Sequence, residues 1–327
     1  MSHQDNKGME SYFFRISAEN FFKIPSAPIA YWVTSSAASC FDWKKKASDD
    51  FELIQGMITG DNNKFIRGWT EISYSKFSRQ SEKKDYWVPY NKGGEARKWY
   101  GNHELVVDWR TNGKEFTRNR STNSHLYFRA YTSWSYLNSS SPAARYYPEG
   151  FLWDVHGSGA FPKPNSNAKQ LAGLLCSKVG EYLLKILNPT MSFQVENIAS
   201  LPWNPEKVST HNPSDAITLA KLDWDAYETS WDFTTLPLTH LDFKKPTLQQ
   251  SYQALRTHWQ AQTDEMQDLE EENNRIFIDA YGLQDELEPD VPDEQITLTR
   301  ADREKDSQRL VSYAMGCMMG RYSLDEP

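Results

Sequence analysis

Nine cationic side chains, Lys64, Arg67, Lys92, Arg97, Lys98, Arg118, Arg120, Arg129 and Arg145, fall among turns and strand ends in the first half of the chain. Asn62, Asn63, Asn91, Asn102, Asn119 and Asn123 stand near them. Cations bind phosphates, and planar guanidinium and amide groups read base edges, arginine matching guanine and asparagine matching adenine. Recognition of nucleic acid is the chemistry this set could perform. The run Tyr90–Asn102 joins two glycines, Gly93 and Gly94, to Lys92, Arg97 and Lys98. Glycines permit close backbone approach, so this run is expected to be a loop that grips phosphates. Arg67 and Arg118 are the expected base readers. Trp69, Trp87, Trp99, Trp109, Trp134 and Trp153 offer faces for stacking, although at strand positions they also suit a core.

No residue set supports catalysis. Histidines 3, 103, 125, 156, 211, 240 and 258 never fall at metal-ligand spacing with one another or with a cysteine, and neither a P-loop nor a nucleophile elbow is present. Gly93-Gly94 and Gly157-Ser158-Gly159 lack the strand–turn–helix setting of a nucleotide cradle. Cys40, Cys176 and Cys317 are odd in number and far apart, which reads as reduced, mostly buried thiols. Taken alone, the chain reads as a non-catalyst with no cofactor and no metal.

The net charge over 327 residues is −8, which looks unsuited to nucleic acid until it is divided. Residues 1–200 hold 25 Lys+Arg against 19 Asp+Glu, and residues 201–327 hold 11 against 25. The positive excess lies in residues 51–150, with 15 basic and 10 acidic side chains. Such asymmetry points to different partners for the two halves. No window reaches the ~18 consecutive apolar residues of a membrane span. The N-terminal stretch MSHQDNKGMESYFF does not read as a secretion signal, so the expected location is the cytoplasm, with no membrane partner.

Three segments are expected to position these residues. Residues 1–55 form a connector in which Pro25 and Pro28 extend Ile24 and Ala27, and Ala30–Val33 starts a helix or a buried strand. Residues 56–242 alternate aromatic runs with Gly, Asn and Ser clusters, predicting strands near 69–74, 105–109, 126–131 and 150–155. One embedded helix, Asn167–Leu187, makes this an α+β domain. Residues 243–327 are helical. Thr247–Tyr281 has no Gly or Pro and places Tyr252, Leu255, Trp259, Gln262, Met266, Leu269, Asn273, Ile276 and Ala280 on a coiled-coil-like heptad seam. Asp264, Glu265, Asp268, Glu270, Glu271 and Glu272 would form its solvated face. Gly282 ends it, and a last helix spans about 301–319.

The run Tyr90-Asn91-Lys92-Gly93-Gly94-Glu95-Ala96-Arg97-Lys98-Trp99-Tyr100-Gly101-Asn102, continuing through Val106-Val107-Asp108-Trp109, carries a resemblance. Ile24–Trp32, Thr59–Arg67, Arg145–Phe151, Leu187–Val195, Thr229–Phe233 and Gly320–Asp325 agree with it in the same order. Together they resemble the region after the catalytic domain in BREX-type adenine-specific DNA methyltransferases, the PglX family, with type IIG restriction-modification enzymes as relatives. The likeness covers nearly the whole chain. It implies a target recognition domain followed by a helical segment, bound to double-stranded DNA, to the catalytic methyltransferase domain and to other BREX proteins. S-adenosylmethionine would be the cofactor of the parent enzyme. The family's cofactor-binding glycine motif and its Asn-Pro-Pro-Tyr loop do not occur in this chain. Asn188-Pro189-Thr190-Met191 lacks the second proline and the aromatic ring, and reads as a helix stop. Two rival readings are a module that docks other defence proteins or an inhibitor through acidic helices, and a Trp-rich carbohydrate binder. The basic 51–150 segment counts against the second.

Overall fold

The computed structural model describes residues 17–79, 86–135, 143–190 and 192–322. The N-terminal stretch read for targeting, Met191 and Ser323–Asp325 lie outside the described residues. The architecture is α+β, with two four-stranded sheets backed by helices and a long helix near the C-terminal end. Helices α1 (Ala18–Lys23), α2 (Ser35–Cys40) and α3 (Ala47–Asp50) lead into β1 (Phe51–Ile54). Then follow α4 (Asn62–Phe65), β2 (Ile66–Gly68), β3 (Trp87–Asn91), β4 (Leu105–Asp108), β5 (Tyr131–Ser133), β6 (Arg145–Tyr147), β7 (Leu152–Trp153) and β8 (Gly159–Pro162). The first sheet has the order β1-β8-β5-β6, antiparallel throughout, and the second has β2-β4-β3-β7, with β3 and β7 parallel.

The second half is helical: α5 (Ala168–Cys176), α6 (Lys178–Leu187), α7 (Val195–Ala199), α8 (His211–Asp225), α9 (Leu248–Tyr281) and α10 (Arg303–Met318). The largest core gathers Ile24, Val33 and Phe41 from the N-terminal segment, Trp99 and Trp134 from the sheet region, and Met266, Phe277 and Leu298 from the C-terminal third. Burying apolar area is the main source of stability, so all three segments contribute to one core. Smaller aromatic clusters lie under the sheets, around Tyr90, Trp109 and Phe116, and around Tyr131, Tyr147 and Trp153.

Several expectations are corrected. The single helix over 167–187 is two helices, because Ser177 takes an extended ψ of 158° and its side chain caps Gly180 N. A Cβ at Gly180 would lie 2.1 Å from the Leu174 carbonyl, so this tight corner requires glycine. Residues 69–71 and 74–76 are 3₁₀ turns rather than a strand, and 121–126 is another, leaving Tyr131–Ser133 as the strand. Ala27 does not extend before Pro28; with Ser26 it turns through positive φ, at 44° and 67°. Ala30–Val33 forms a turn, neither helix nor strand, with Ala30 and Val33 buried and the Tyr31 and Trp32 side chains exposed.

Helix α9 is continuous, capped by Thr247 and ended by Gly282 at φ 69°. Leu255, Trp259, Met266, Asn273 and Ala280 of the expected seam are buried, but so are Thr263, Glu270, Phe277 and Tyr281. The buried stripe follows the 3.6-residue period of a straight helix lying on α8 and α6, whereas a heptad repeat follows 3.5. Leu255 is 1% exposed. Leu255→Asp should cost ~2–5 kcal/mol for the lost packing, and more for the unpaired charge. Glu271 is no control, since its carboxylate accepts from Val291 N and pairs with Arg275. Exposed Glu265→Gln serves better and should stay within ~0.5 kcal/mol. Equal urea midpoints for Leu255→Asp and Glu265→Gln would show that the stripe is not buried.

Candidate nucleic-acid interface

The densest cluster of cations, on the glycine loop after β3, is turned inward. Gly93 and Gly94 take φ of 84° and 102°, which carries the loop over the Arg145 side chain. Arg145 is 0% exposed. Its Nη1 donates to the carbonyls of Glu95, Arg97 and Ala143 and to Ser135 Oγ, and its Nη2 to the Gly93 carbonyl. Asn91 is buried as well, donating to Tyr131 Oη, Ser133 Oγ and the Gly157 carbonyl. Lys98 Nζ lies 2.6 Å from Glu270 Oε2, and Trp99 Nε1 donates to Glu270 Oε1 at 2.9 Å. Burial opposes the Lys98 charge, but the Glu270 carboxylate outweighs it and holds the ammonium pKa above its ordinary value.

Arg97 Nη2 lies 2.6 Å from Asp223 Oδ2, and its Nε donates to the Tyr100 carbonyl. Lys92 Nζ lies 3.2 Å from Asp154 Oδ2, which also accepts from Tyr90 Oη. Each cation of the run therefore meets a different carboxylate, after β7, on α8 and on α9. A charge taken out of water must be paired, and here pairing staples the loop to the helices. The cations of the expected phosphate-gripping loop thus face the protein's own carboxylates. Arg145 has no surface to offer a phosphate, Lys98 and Arg97 have little, and Lys92 is half-buried on its own carboxylate.

Other expected cations are arranged differently. Lys64 pairs with Glu115 at 2.7 Å, and Arg67 donates to its own Ile66 carbonyl beside the Trp87 ring. Arg118, Arg120 and Arg129, among the described residues, carry no carboxylate partner; Arg118 and Arg120 meet the continuation of edge strand β1, and Arg129 meets the end of its neighbour β8. Arg118 is bridged through its backbone to Ile58, with N–H donors in both directions. Arg120, at a left-handed φ of 56°, donates from Nε to the Gly56 carbonyl at 3.3 Å. Burial first, and the neighbouring Arg118 cation second, lower its pKa. Arg129 donates to the Pro162 carbonyl at 2.8 Å, and Pro162 is the register partner of Phe51. Lys163, which the sequence reading missed, follows with a bond to the Ser48 carbonyl at 2.8 Å. Glu52, midway, faces His125 Nε2 at 3.0 Å.

Along Ser48–Ile58 the attached cations are thus Lys163, Arg120 and Arg118, in that order, and Arg129 is attached one strand further in, at Pro162 of β8 opposite Phe51. At ~3.3 Å per extended residue, Phe51 to Ile58 spans at most roughly 23 Å. The segment bearing Arg118 and Arg120 is braced from below, where Trp109 meets Phe116 and Tyr127 at 6.1 and 5.5 Å and Tyr127 Oη donates to the Asn119 carbonyl. A braced row of uncompensated cations can follow a line of phosphates. The tryptophans divide: Trp99, Trp109, Trp134 and Trp153 are core, while Trp69 and Trp87 are half-buried.

Gly157 and Gly159 build no nucleotide cradle. A Cβ at Gly157 would meet the Asn91 side chain at 2.7 Å and one at Gly159 the Tyr131 ring at 2.8 Å, so the space beside them is filled by protein. These residues do not fit S-adenosylmethionine. His103 is core, 1% exposed, among five aromatic rings. The three cysteines are free, and burial raises the thiols of Cys40 and Cys176 to about 11 and about 12. Among the described residues no helix is long and apolar enough to cross a membrane.

No family model matches the chain. It is 34% identical over 346 aligned positions to the adenine-specific methyltransferase PglX of Lacticaseibacillus casei (strain Zhang), covering 97% of this chain and 28% of that one. It is 30% identical over 335 positions to the adenine-specific methyltransferase BrxX of Escherichia coli O9:H4 (strain HS), covering 95% and 27%. The chain therefore spans little more than a quarter of the length of the curated relatives it matches.

Proposed function

We propose that this chain is the DNA target-recognition part of a BREX-type adenine-specific DNA methyltransferase. It holds a duplex against the cation row beside β1 and positions a separate catalytic domain, which extrudes and methylates the adenine. S-adenosylmethionine binds that domain. Other BREX proteins are further partners, and the setting is cytoplasmic. Likeness to part of two adenine-specific methyltransferases supports the enzyme class, and likeness to PglX and BrxX supports the defence setting. The observation that carries the DNA reading is the group Lys163, Arg129, Arg120 and Arg118, each tied to backbone at the β1 edge or its neighbour β8 and without a carboxylate partner among the described residues.

Replacing Arg118, Arg120 and Arg129 together with Gln should reduce the slope of log affinity against log salt by up to about three, at about 0.9 per phosphate contact. Gln keeps a donor for the carbonyls, so circular dichroism should stay native. Within the row Arg118 is the base reader we favour, and Arg118→Gln alone should cost ~1–3 kcal/mol on the cognate duplex and little on a scrambled one. An unchanged salt slope in the triple variant would move the interface off β1.

A further inference from the structure

The opposite end of the second sheet carries chemistry of the other sign. A cleft of about 1050 Å³ opens where β2 ends, between the turn at Trp69, the segment after α8 and the end of α10. Trp69, Tyr74, Phe233 and Tyr322 form its walls, with Trp231 beneath. A second cleft of about 600 Å³ lies over Gly93–Arg97 and Trp224, and Glu104 lines both. Glu95 lines the second cleft and Glu228 the first. None of these three carboxylates has an ion-pair partner among the described residues; Tyr322 hydrogen-bonds the Glu228 carboxylate, whose Oε1 is buried without a partner of its own. Neighbouring cations are already committed, Lys92 to Asp154, Arg97 to Asp223 and Arg79 to Asp232. Arg321, at the rim, lies 6.0 Å over the Tyr322 ring.

Unpaired carboxylates beside aromatic faces attract cations and repel phosphates. The aromatic rings around these clefts already accept guanidinium groups, Arg79 at 5.4 Å from Trp231 and Arg97 at 5.2 Å from Trp224. Planar guanidinium stacks on such rings and takes a carboxylate in its plane, so arginine suits the site better than lysine. Two neighbouring clefts that share Glu104 as a lining residue would suit two or more cations on a single extended backbone. We infer that this groove is a docking site for an extended, arginine-bearing segment of a partner protein, separate from the DNA row on β1.

The probe is a fluorescein-labelled synthetic peptide of alternating arginine and glycine, titrated with the full chain and read by anisotropy. The Glu104→Gln/Glu228→Gln variant should bind it about tenfold more weakly, as the loss of two partly exposed charge contacts implies. Duplex DNA affinity should not fall in that variant. A second variant, Glu265→Gln/Asp268→Asn, removes as much charge from the exposed face of α9 and should leave peptide binding unchanged. Equal weakening in both variants would mean that the peptide senses only net charge, and would overturn the proposal. So would undiminished binding in the cleft variant, or competition by spermidine as effective as by unlabelled peptide. Because peptide and duplex are measured separately, loss of the DNA reading leaves this test intact.

Discussion

Lys98→Met should destabilise the protein by ~3–5 kcal/mol, the usual consequence of leaving one partner of a buried ion pair uncompensated. Lys98 and Glu270 are 8% and 2% exposed, so the orphaned Glu270 carboxylate would retain only its bond from Trp99 Nε1. The double variant Lys98→Met/Glu270→Gln should recover most of the loss. It removes the second charge and keeps an amide oxygen for the indole, whose orphaning would otherwise cost ~1–3 kcal/mol. Urea midpoints with unchanged m-values report this directly. A single variant within ~1 kcal/mol of the parent would show that the pair is hydrated. The same variant separates two roles for Lys98. A structural cation changes stability and leaves the salt dependence of DNA binding alone, whereas a phosphate contact would do the reverse.

That pair also shows where reading a single sequence stops. Lys98 and Glu270 are separated by 172 positions, and Arg97 and Asp223 by 126. Local signals place each residue on a loop or a helix, but nothing local says that they meet. The lysines and arginines of the glycine run therefore look free, and Glu270 looks like one more member of a solvated acidic face. One signal was available. Met266, Glu270, Asn273 and Phe277 recur at spacings of four and three, which places Glu270 in the buried stripe of a straight helix. A heptad template moves that stripe to Leu269 and Ile276, because 3.5 and 3.6 residues per turn diverge by ~20° per heptad. Helix α9, its glycine stop and the final helix were legible because caps and periodicity are local. The 3₁₀ turns at 69–76 and 121–126 were not, since aromatic side chains there pack sideways into the sheets and mimic strand composition. Arg118, Arg120 and Arg129 of the cation row were legible as candidates, whereas Lys163 and the order of the row were not, since both depend on strand register.

His103→Phe should stabilise the protein increasingly as the pH falls. The His103 ring is 1% exposed, and both its nitrogens lack hydrogen-bond partners. Tyr100, Phe151 and Tyr147 surround it at 4.4, 4.7 and 4.8 Å, and Trp231 stacks on it at 6.0 Å. Burial above all, and then the cations Arg145, Lys221, Arg97 and Arg79, hold its pKa well below the ordinary histidine value. In the unfolded chain the same imidazole titrates near ~6.5. Above that pH it is neutral in both states and contributes no slope. As the pH falls through ~6.5, only the unfolded chain takes up the proton, so stability drops by up to ~1.4 kcal/mol per pH unit until the folded-state pKa is reached. Phenylalanine keeps the aromatic contacts and has nothing to protonate. Carboxylates elsewhere titrate alike in both proteins and cancel in the difference. The stability gap between His103→Phe and the parent should therefore widen by roughly 2 kcal/mol between pH 7 and pH 5. A gap that stays constant over that range would mean that His103 reaches water or a hydrogen-bond acceptor in solution, and that the aromatic box around it opens at low cost.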